Sequence, residues 1–382
     1  QIEDYGSITK VQFEGNYNGV GGASYNTTIG NSLIKWETGI QKNLGLDLNF
    51  LKGRITFTGE VYEKESKDLL YQRQLVKETG FSTVIVNVGS IVNKGIEFTV
   101  SGTPIAKKNF SWNIDANIYF ERGTIKELAG GVPFIAGNKW YVQEGGRIGD
   151  FYGWKNLGVY QWNESNAYND SWDKLTVVLG SDNKPLYVNG KPQYTLNGQP
   201  YTGTVHNLYD PSGKLIAGDT EWANVKRDSL IDDGDRHVIG NAQPKFNVGF
   251  GNTFTYKRLS LNFLFNAAIG GQVYNTLLYN ANNPSNTGPG NPDVLYNSWQ
   301  KPGDIAKYPY YPNRTSRGNL KANGNSAYIE SSSFIRLASV RLAYNMDPAI
   351  AKRLYLKGVT AFVYGTNLMT WTNYRGYDPE FS

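Results

Sequence analysis

The sequence predicts an all-β protein of long antiparallel strands, on three observations. Apolar and polar residues alternate along several stretches, which is the period of a strand with two unlike faces. The 382 residues are 14% aromatic, with 27 Tyr and 9 Trp; such residues favour strands, and the interspersed Gly, Asn and Ser favour turns. Short turn-like breaks also alternate with long polar segments, as in an up-and-down strand order.

The elements follow in order. Between Arg54 and Tyr62, Ile55, Phe57 and Val61 fall on one face, and Arg54, Thr56, Thr58 and Glu60 on the other. Ile96, Phe98 and Val100 then oppose Glu97, Thr99 and Ser101, and Trp112, Ile114, Ala116, Ile118 and Phe120 oppose Asn113, Asp115, Asn117 and Tyr119. Leu51-Lys52-Gly53 and Lys107-Lys108-Asn109 read as turns. The pattern stops near Gly130, and residues 131–234 read as a long loop with only short apolar runs. Phe246, Val248 and Phe250 open a second hairpin that turns at Tyr256-Lys257-Arg258 and returns through Leu259, Leu261, Phe263 and Phe265. A second long loop spans 270–327. The last pair carries Val340, Leu342 and Tyr344, then Val359, Ala361 and Val363, with a helical turn from Pro348 to Leu354 between them. Nine or ten strands are expected in all.

Composition excludes several function classes. No apolar run reaches the roughly 18 residues of a membrane helix. The mean hydropathy of −0.47 is compatible with a membrane β-barrel, whose lipid-facing residues alternate with polar ones. Cysteine is absent, which removes disulfides and thiol chemistry. The net charge of +5 is spread thinly, and no basic-aromatic ladder suits nucleic acid. Alternation alone also describes a soluble sandwich. Three features favour the barrel: apolar residues along most of each outward set, Tyr and Trp near strand ends, and a polar face suited to a wet lumen.

Four stretches resemble the SusC/RagA family of TonB-dependent outer-membrane transporters of Bacteroidota. The most specific is Gly365-Thr366-Asn367-Leu368-Met369-Thr370-Trp371-Thr372-Asn373-Tyr374-Arg375-Gly376-Tyr377-Asp378-Pro379-Glu380; Ser332-Ser333-Phe334-Ile335-Arg336-Leu337 resembles the strand before it. Asn87-Val88-Gly89 with Asn93-Lys94-Gly95-Ile96-Glu97, and Trp36-Glu37-Thr38 leading to Asn43-Leu44-Gly45-Leu46-Asp47, are similar to recurring upstream segments. The resemblance implies part of a barrel of about 22 strands filled by an N-terminal plug. Residues 1–382 are then expected to be a C-terminal portion without the plug or the closing strand. It further implies an outer-membrane location, a SusD-like surface lipoprotein as partner, TonB acting through the plug, and a lipid bilayer around the wall. The imported nutrient is a large glycan or peptide, and the sequence does not choose between them. Glu97, Asp115, Asn117, Asn247 and Asn262 are expected to face the lumen.

Candidate chemistry concentrates in the long loop. Trp140, Tyr141, Phe151, Tyr152, Trp154, Tyr160 and Trp162 cluster there with Asn156, Asn163 and Asn166. Aromatic faces beside amides suit sugars or peptides, or the contact with the lipoprotein. Asn224 to Asp235 sits where the family often carries an EF-hand-like calcium loop, with Asp228 and Asp235 in ligand positions. Lys226 stands where an oxygen ligand belongs and Ser229 where Gly belongs, so the loop is read as an acidic brace and no cofactor is expected. The two histidines, His206 and His237, form no relay with a nucleophile in the sequence, and no enzyme is expected. Two other readings remain, a secreted carbohydrate-binding or adhesin protein and a structural barrel subunit of an envelope complex.

Overall fold

Alternation gives each strand one mainly apolar and one mainly polar face, and eight such strands form one continuous sheet. They are β1 (Thr38–Phe50), β2 (Ile55–Lys67), β3 (Gly89–Lys107), β4 (Phe110–Leu128), β5 (Phe246–Tyr256), β6 (Leu259–Ile269), β7 (Phe334–Asn345) and β8 (Thr360–Thr372). Each pairs antiparallel with its neighbours in chain order, from β1 at one edge to β8 at the other. The computed structural model describes all residues except 1–6, 13–15, 18–19, 23, 26, 138, 283–289, 311–323 and 381–382.

The sheet has eight strands rather than nine or ten because two apparent breaks are bulges. The segments at Phe334–Leu337 and Val340–Tyr344 belong to one strand, β7; those at Thr360–Val363 and Gly365–Thr372 belong to β8. Leu337 pairs with Met369 and Ser339 with Thr366, so β8 carries one extra residue there, and Asn367 adopts a φ of 49°. An Asn tolerates that left-handed conformation better than most residues.

Pairing register turns strand alternation into rows across the whole sheet. One row runs Leu48, Phe57, Val100, Ala116, Phe250, Phe265, Leu337 and Met369; the next runs Leu46, Gly59, Phe98, Ile118, Val248, Ala267, Ile335 and Trp371. Along β4 the apolar face is Phe110, Trp112, Ile114, Ala116, Ile118 and Phe120. At about 3.3 Å per residue and a tilt near 40°, this band stands about 25 Å tall, the height of a hydrocarbon-facing belt. Asn252 interrupts the belt, but it is buried and its Oδ1 accepts from Trp112 Nε1 at 2.9 Å.

The opposite face is a ladder of cross-strand hydrogen bonds. Thr58 Oγ1 donates to Asp47 at 2.6 Å, Thr56 Oγ1 to Asn49 at 2.9 Å, Asn43 Nδ2 to Glu60 at 2.7 Å and Asn262 Nδ2 to Thr253 at 2.7 Å. Gly95 lies on this face because the Tyr62 ring covers it; a Cβ there would stand 2.3 Å from Tyr62 Cζ.

Connections differ sharply between the two ends of the sheet. At one end β1–β2, β3–β4 and β5–β6 are joined by tight turns. The β7–β8 link there holds a short helix, Pro348–Arg353, N-capped by Asp347, whose side chain accepts from Ala349 N at 2.8 Å. At the other end lie residues 68–88, 129–245 and 270–333. The first carries a hairpin, Leu70–Gln74 with Thr83–Asn87, that the sequence reading passed over.

The long segment at 131–234 is a folded lobe, contrary to its reading as a loop of broken apolar runs. Tyr160, Tyr168, Leu208, Leu215, Trp222 and Ile231 form its core, with Trp154 and Trp172 packed against them. These residues lie far apart in sequence in short strands, so no periodic pattern marks them. A four-stranded sheet (Phe134–Ala136, Trp140–Val142, Asp150–Gly153 and His237–Asn241) forms the base. The second long segment joins this base through Phe151, Tyr274 and Tyr328, and Gln272–Tyr274 pairs with Ile329–Ser331.

Candidate functional site: the loop end of the sheet

Two polar clamps, the first of them buried, hold the wall to its loops. Arg336, on the polar face of β7, has a side chain only 6% exposed. Its Nη2 donates to Asp378 and its Nη1 to Glu380, each at 2.6 Å, and its Nε donates to Thr370 Oγ1 at 3.0 Å. The guanidinium fork thus folds the Asp378-Pro379-Glu380 turn back over β7 and β8. The second clamp is Asn87, which accepts from Lys35 N at 2.8 Å and donates to the carbonyls of Lys35 and Asp68 at 2.9 and 2.6 Å. The Arg336 clamp joins two of the stretches on which the family resemblance rests, and the Asn87 clamp ties a third to Lys35, the residue before the fourth.

The seven aromatic residues separate into two kinds. Phe151 is 2% exposed and Tyr160 1% exposed; both are core residues, which corrects their reading as contacts for a solute or lid. Tyr160 Oη lies 3.0 Å from Tyr168 Oη, and burial pushes both phenols up, Tyr168 to about 12. Burial likewise pushes the Glu221 carboxyl up, against the pull of Lys174 at 2.7 Å. The other five keep part of their surface. Trp140 stacks on Phe151 at 4.6 Å and Tyr141 on Tyr152 at 4.2 Å. The Arg236 guanidinium sits 4.9 Å from the Tyr152 ring and 4.8 Å from that of Trp154, whose Nε1 donates to Asp232 O at 2.9 Å. Trp162 is half-buried.

Between the two long segments lies a notch of about 190 Å³ lined by Asn156, Thr220, Asn282, Tyr308, Asn325 and Arg375 among others. The sequence reading missed it. Its side chains come from six separated stretches, and only Asn156 stood among the amides singled out there. Asp293 anchors one wall, accepting from Lys307 Nζ at 2.5 Å and Tyr308 Oη at 2.7 Å, and these contacts pull its carboxyl down to about 2.

Residues 224–235 close into the shape of a cation-binding loop but hold their own cation. Lys226 Nζ lies 2.9 Å from both Asp228 Oδ2 and Asp232 Oδ1, and these bonds hold the ammonium above its ordinary pKa. Asp235 is fully buried and spends its carboxylate on backbone amides, accepting from Val225, Lys226 and Asp232 at 2.9, 3.1 and 3.0 Å. Ile231 packs into the lobe core below. Such a set does not fit calcium, which wants six to eight oxygens where this loop places an ammonium. Among the described residues, no group of three or more His, Asp or Glu is arranged to hold a metal ion. Exchanging Lys226 for Asp is expected to create calcium dependence. Proteolysis of the loop in the full-length protein should become slower with added calcium in the variant and stay unchanged in the parent. Protection of the parent would show that the lysine is displaced by metal.

The five polar residues expected in a lumen all lie on the ladder face, opposite the belt. Glu97 pairs with Tyr119 and Tyr119 with Asn247; Asp115 pairs with Ser101, Asn117 with Gly249 and Asn262 with Thr253. Of the histidines, His206 Nε2 meets Asp170 at 2.7 Å at the lobe surface, and His237 Nδ1 lies 3.1 Å from the carbonyl of Asp235.

The family model for the TonB-dependent receptor-like β-barrel matches residues 4–177. The TonB-dependent receptor P39 of Formosa agariphila is 34% identical over 384 residues, covering 100% of this chain. The chain is similar to TonB-dependent receptor β-barrels along its whole length. The receptor SusC of Bacteroides thetaiotaomicron is 26% identical over 92% of the chain. Among solved structures, that of the RagAB peptide transporter superposes with a TM-score of 0.71 at 21% identity, covering 99% of this chain. The chain spans about a third of each of these relatives, 36% of P39, 30% of SusC and 36% of the RagAB chain. The sheet is therefore part of a larger transmembrane β-barrel of the outer membrane, and its relatives are receptors and transporters rather than enzymes.

Proposed function

We propose that this chain supplies part of the wall and outer loops of an active transporter that imports a large nutrient across the outer membrane. The observation that carries the proposal is the eight-stranded sheet itself, apolar on one face, hydrogen-bonded and polar on the other, with folded loops at one end only. In this reading the apolar rows face lipid, and Glu97, Asp115, Asn117, Asn247 and Asn262 face the lumen, where they contact the plug or the solute path. The loops face outward, and Tyr141, Tyr152, Trp154 and Trp162, with the notch at Asn282 and Tyr308, meet the solute or a SusD-like lipoprotein above it. TonB supplies the pull through a plug domain. Oligosaccharide and peptide both suit aromatic faces beside amides; the RagAB relative is a peptide transporter, which favours testing peptides first. The lysine in loop 224–235 supports a lobe braced without metal.

Uptake of labelled peptide and oligosaccharide pools by a strain deleted for the receptor, complemented with the full-length gene, tests the proposal. Restored uptake of one pool that collapses without TonB is expected. Uptake of neither pool would overturn import. The outward assignment has its own test. Lys in place of Ile114 or Phe263, near the middle of the belt, is expected to cost about 2–4 kcal/mol per site and to lower the receptor recovered from outer membranes. Normal recovery of both variants would overturn the lipid-facing reading and favour a secreted binding protein.

A further inference from the structure

The apolar face carries a feature that solute import does not use. One step beyond Leu44, Val61, Ile96 and Phe120, toward the long loops, the row matched across β1 to β4 becomes Lys42, Glu63, Lys94 and Arg122. Arg147 shares this face, because its backbone bridges Thr124, two residues beyond Arg122 on β4. These side chains and Lys245 wall a cleft of about 920 Å³ whose floor is Leu44, Val61, Ile96 and Phe120. Glu63 lies 2.9 Å from Lys94 and 3.7 Å from Lys42, so its charge is already shared. Arg122, Arg147 and Lys245 make no ion pair among the described residues, and Arg147 Nε is buried without a hydrogen-bond partner. A surplus of cations thus stands at the upper edge of a hydrocarbon-facing belt, where unpaired charge is costly.

We propose that this cleft binds an anionic membrane lipid with a phosphate monoester headgroup, that phosphate lying against Lys94, Arg122 and Arg147 and the acyl chains along the apolar floor. The inference rests on the lipid-facing reading of the belt. Guanidinium forks suit phosphate oxygens, and the adjoining floor favours an amphiphile over a soluble anion.

The test uses the full-length receptor in nanodiscs of phosphatidylcholine with or without phosphatidic acid, followed by native mass spectrometry of the lipid retained in neutral detergent. Retention of phosphatidic acid over phosphatidylcholine is expected. Three basic groups, each contributing about fivefold near an anionic surface, predict a loss on the order of a hundredfold in the triple variant K94Q/R122Q/R147Q. The lobe variant K184Q/K191Q/K214Q should retain lipid like the parent. Equal retention by the cleft variant and the parent, or of the two lipids by the parent, overturns the site. Displacement by millimolar inorganic phosphate overturns it in favour of a soluble anion. Failure of the parent to enter nanodiscs overturns the lipid-facing reading as well, which keeps the two failures distinguishable.

Discussion

Trp222→Ala is expected to destabilise the lobe by about 3–5 kcal/mol, the cost of a large cavity in a packed core. Trp222 is 1% exposed and lies among Tyr160, Tyr168, Leu208, Leu215 and Ile231. The loss should be local, because the lobe has its own core and the wall is held by strand pairing. Hydrogen exchange on the full-length receptor should show amides from 156 to 231 opening while those of β3 and β4 keep their protection. Trp222→Phe should cost much less. It keeps most of the volume, and it removes an indole Nε1 that is buried without a hydrogen-bond partner. Uniform loss of protection across wall and lobe would show that they form one cooperative unit.

Arg336→Ala is expected to cost about 3 kcal/mol, the low end for breaking a buried ion pair. Its partners hold the cost down, since the side chains of Asp378 and Glu380 are 35% and 48% exposed and recover much of their hydration. The turn at 378–380 should then lose its anchor, and limited proteolysis should cut after Tyr377 faster than in the parent. Arg336→Lys should recover only part of the effect, because an ammonium cannot serve Asp378, Glu380 and Thr370 as a planar fork does. Unchanged cleavage in Arg336→Ala would mean that strand pairing and the peptide chain alone hold the turn.

The wall was legible in the sequence and the lobe was not, for a physical reason. A strand between lipid and lumen must alternate, so Trp112 to Phe120 and Leu259 to Phe265 declare their faces residue by residue. The lobe builds its core from single residues such as Leu208, Leu215 and Ile231 in segments too short to show a period. Phe151 and Tyr160 misled for a related reason: an aromatic beside amides and glycines looks the same in sequence whether it lines a surface or fills a core. The brace at 224–235 was legible from one residue, since Lys226 stands at a ligand position and its ammonium supplies the positive charge between Asp228 and Asp232. Where Asp235 would turn was not legible, because it depends on the amides of Val225, Lys226 and Asp232 converging on one carboxylate.

The stagger of the strands gives the loop end of the wall an uneven edge. Beyond Phe120, whose ring meets that of Phe246 at the start of β5, β4 continues to Leu128 beside the upper parts of β1, β2 and β3. Those further residues extend roughly 26 Å along the strand. Along the pairing rows β1–β4 therefore run further toward the loop end than β5–β8 do. The lobe accordingly leaves the wall from the longer strands, after Leu128, and returns to it at Phe246 on the shorter ones.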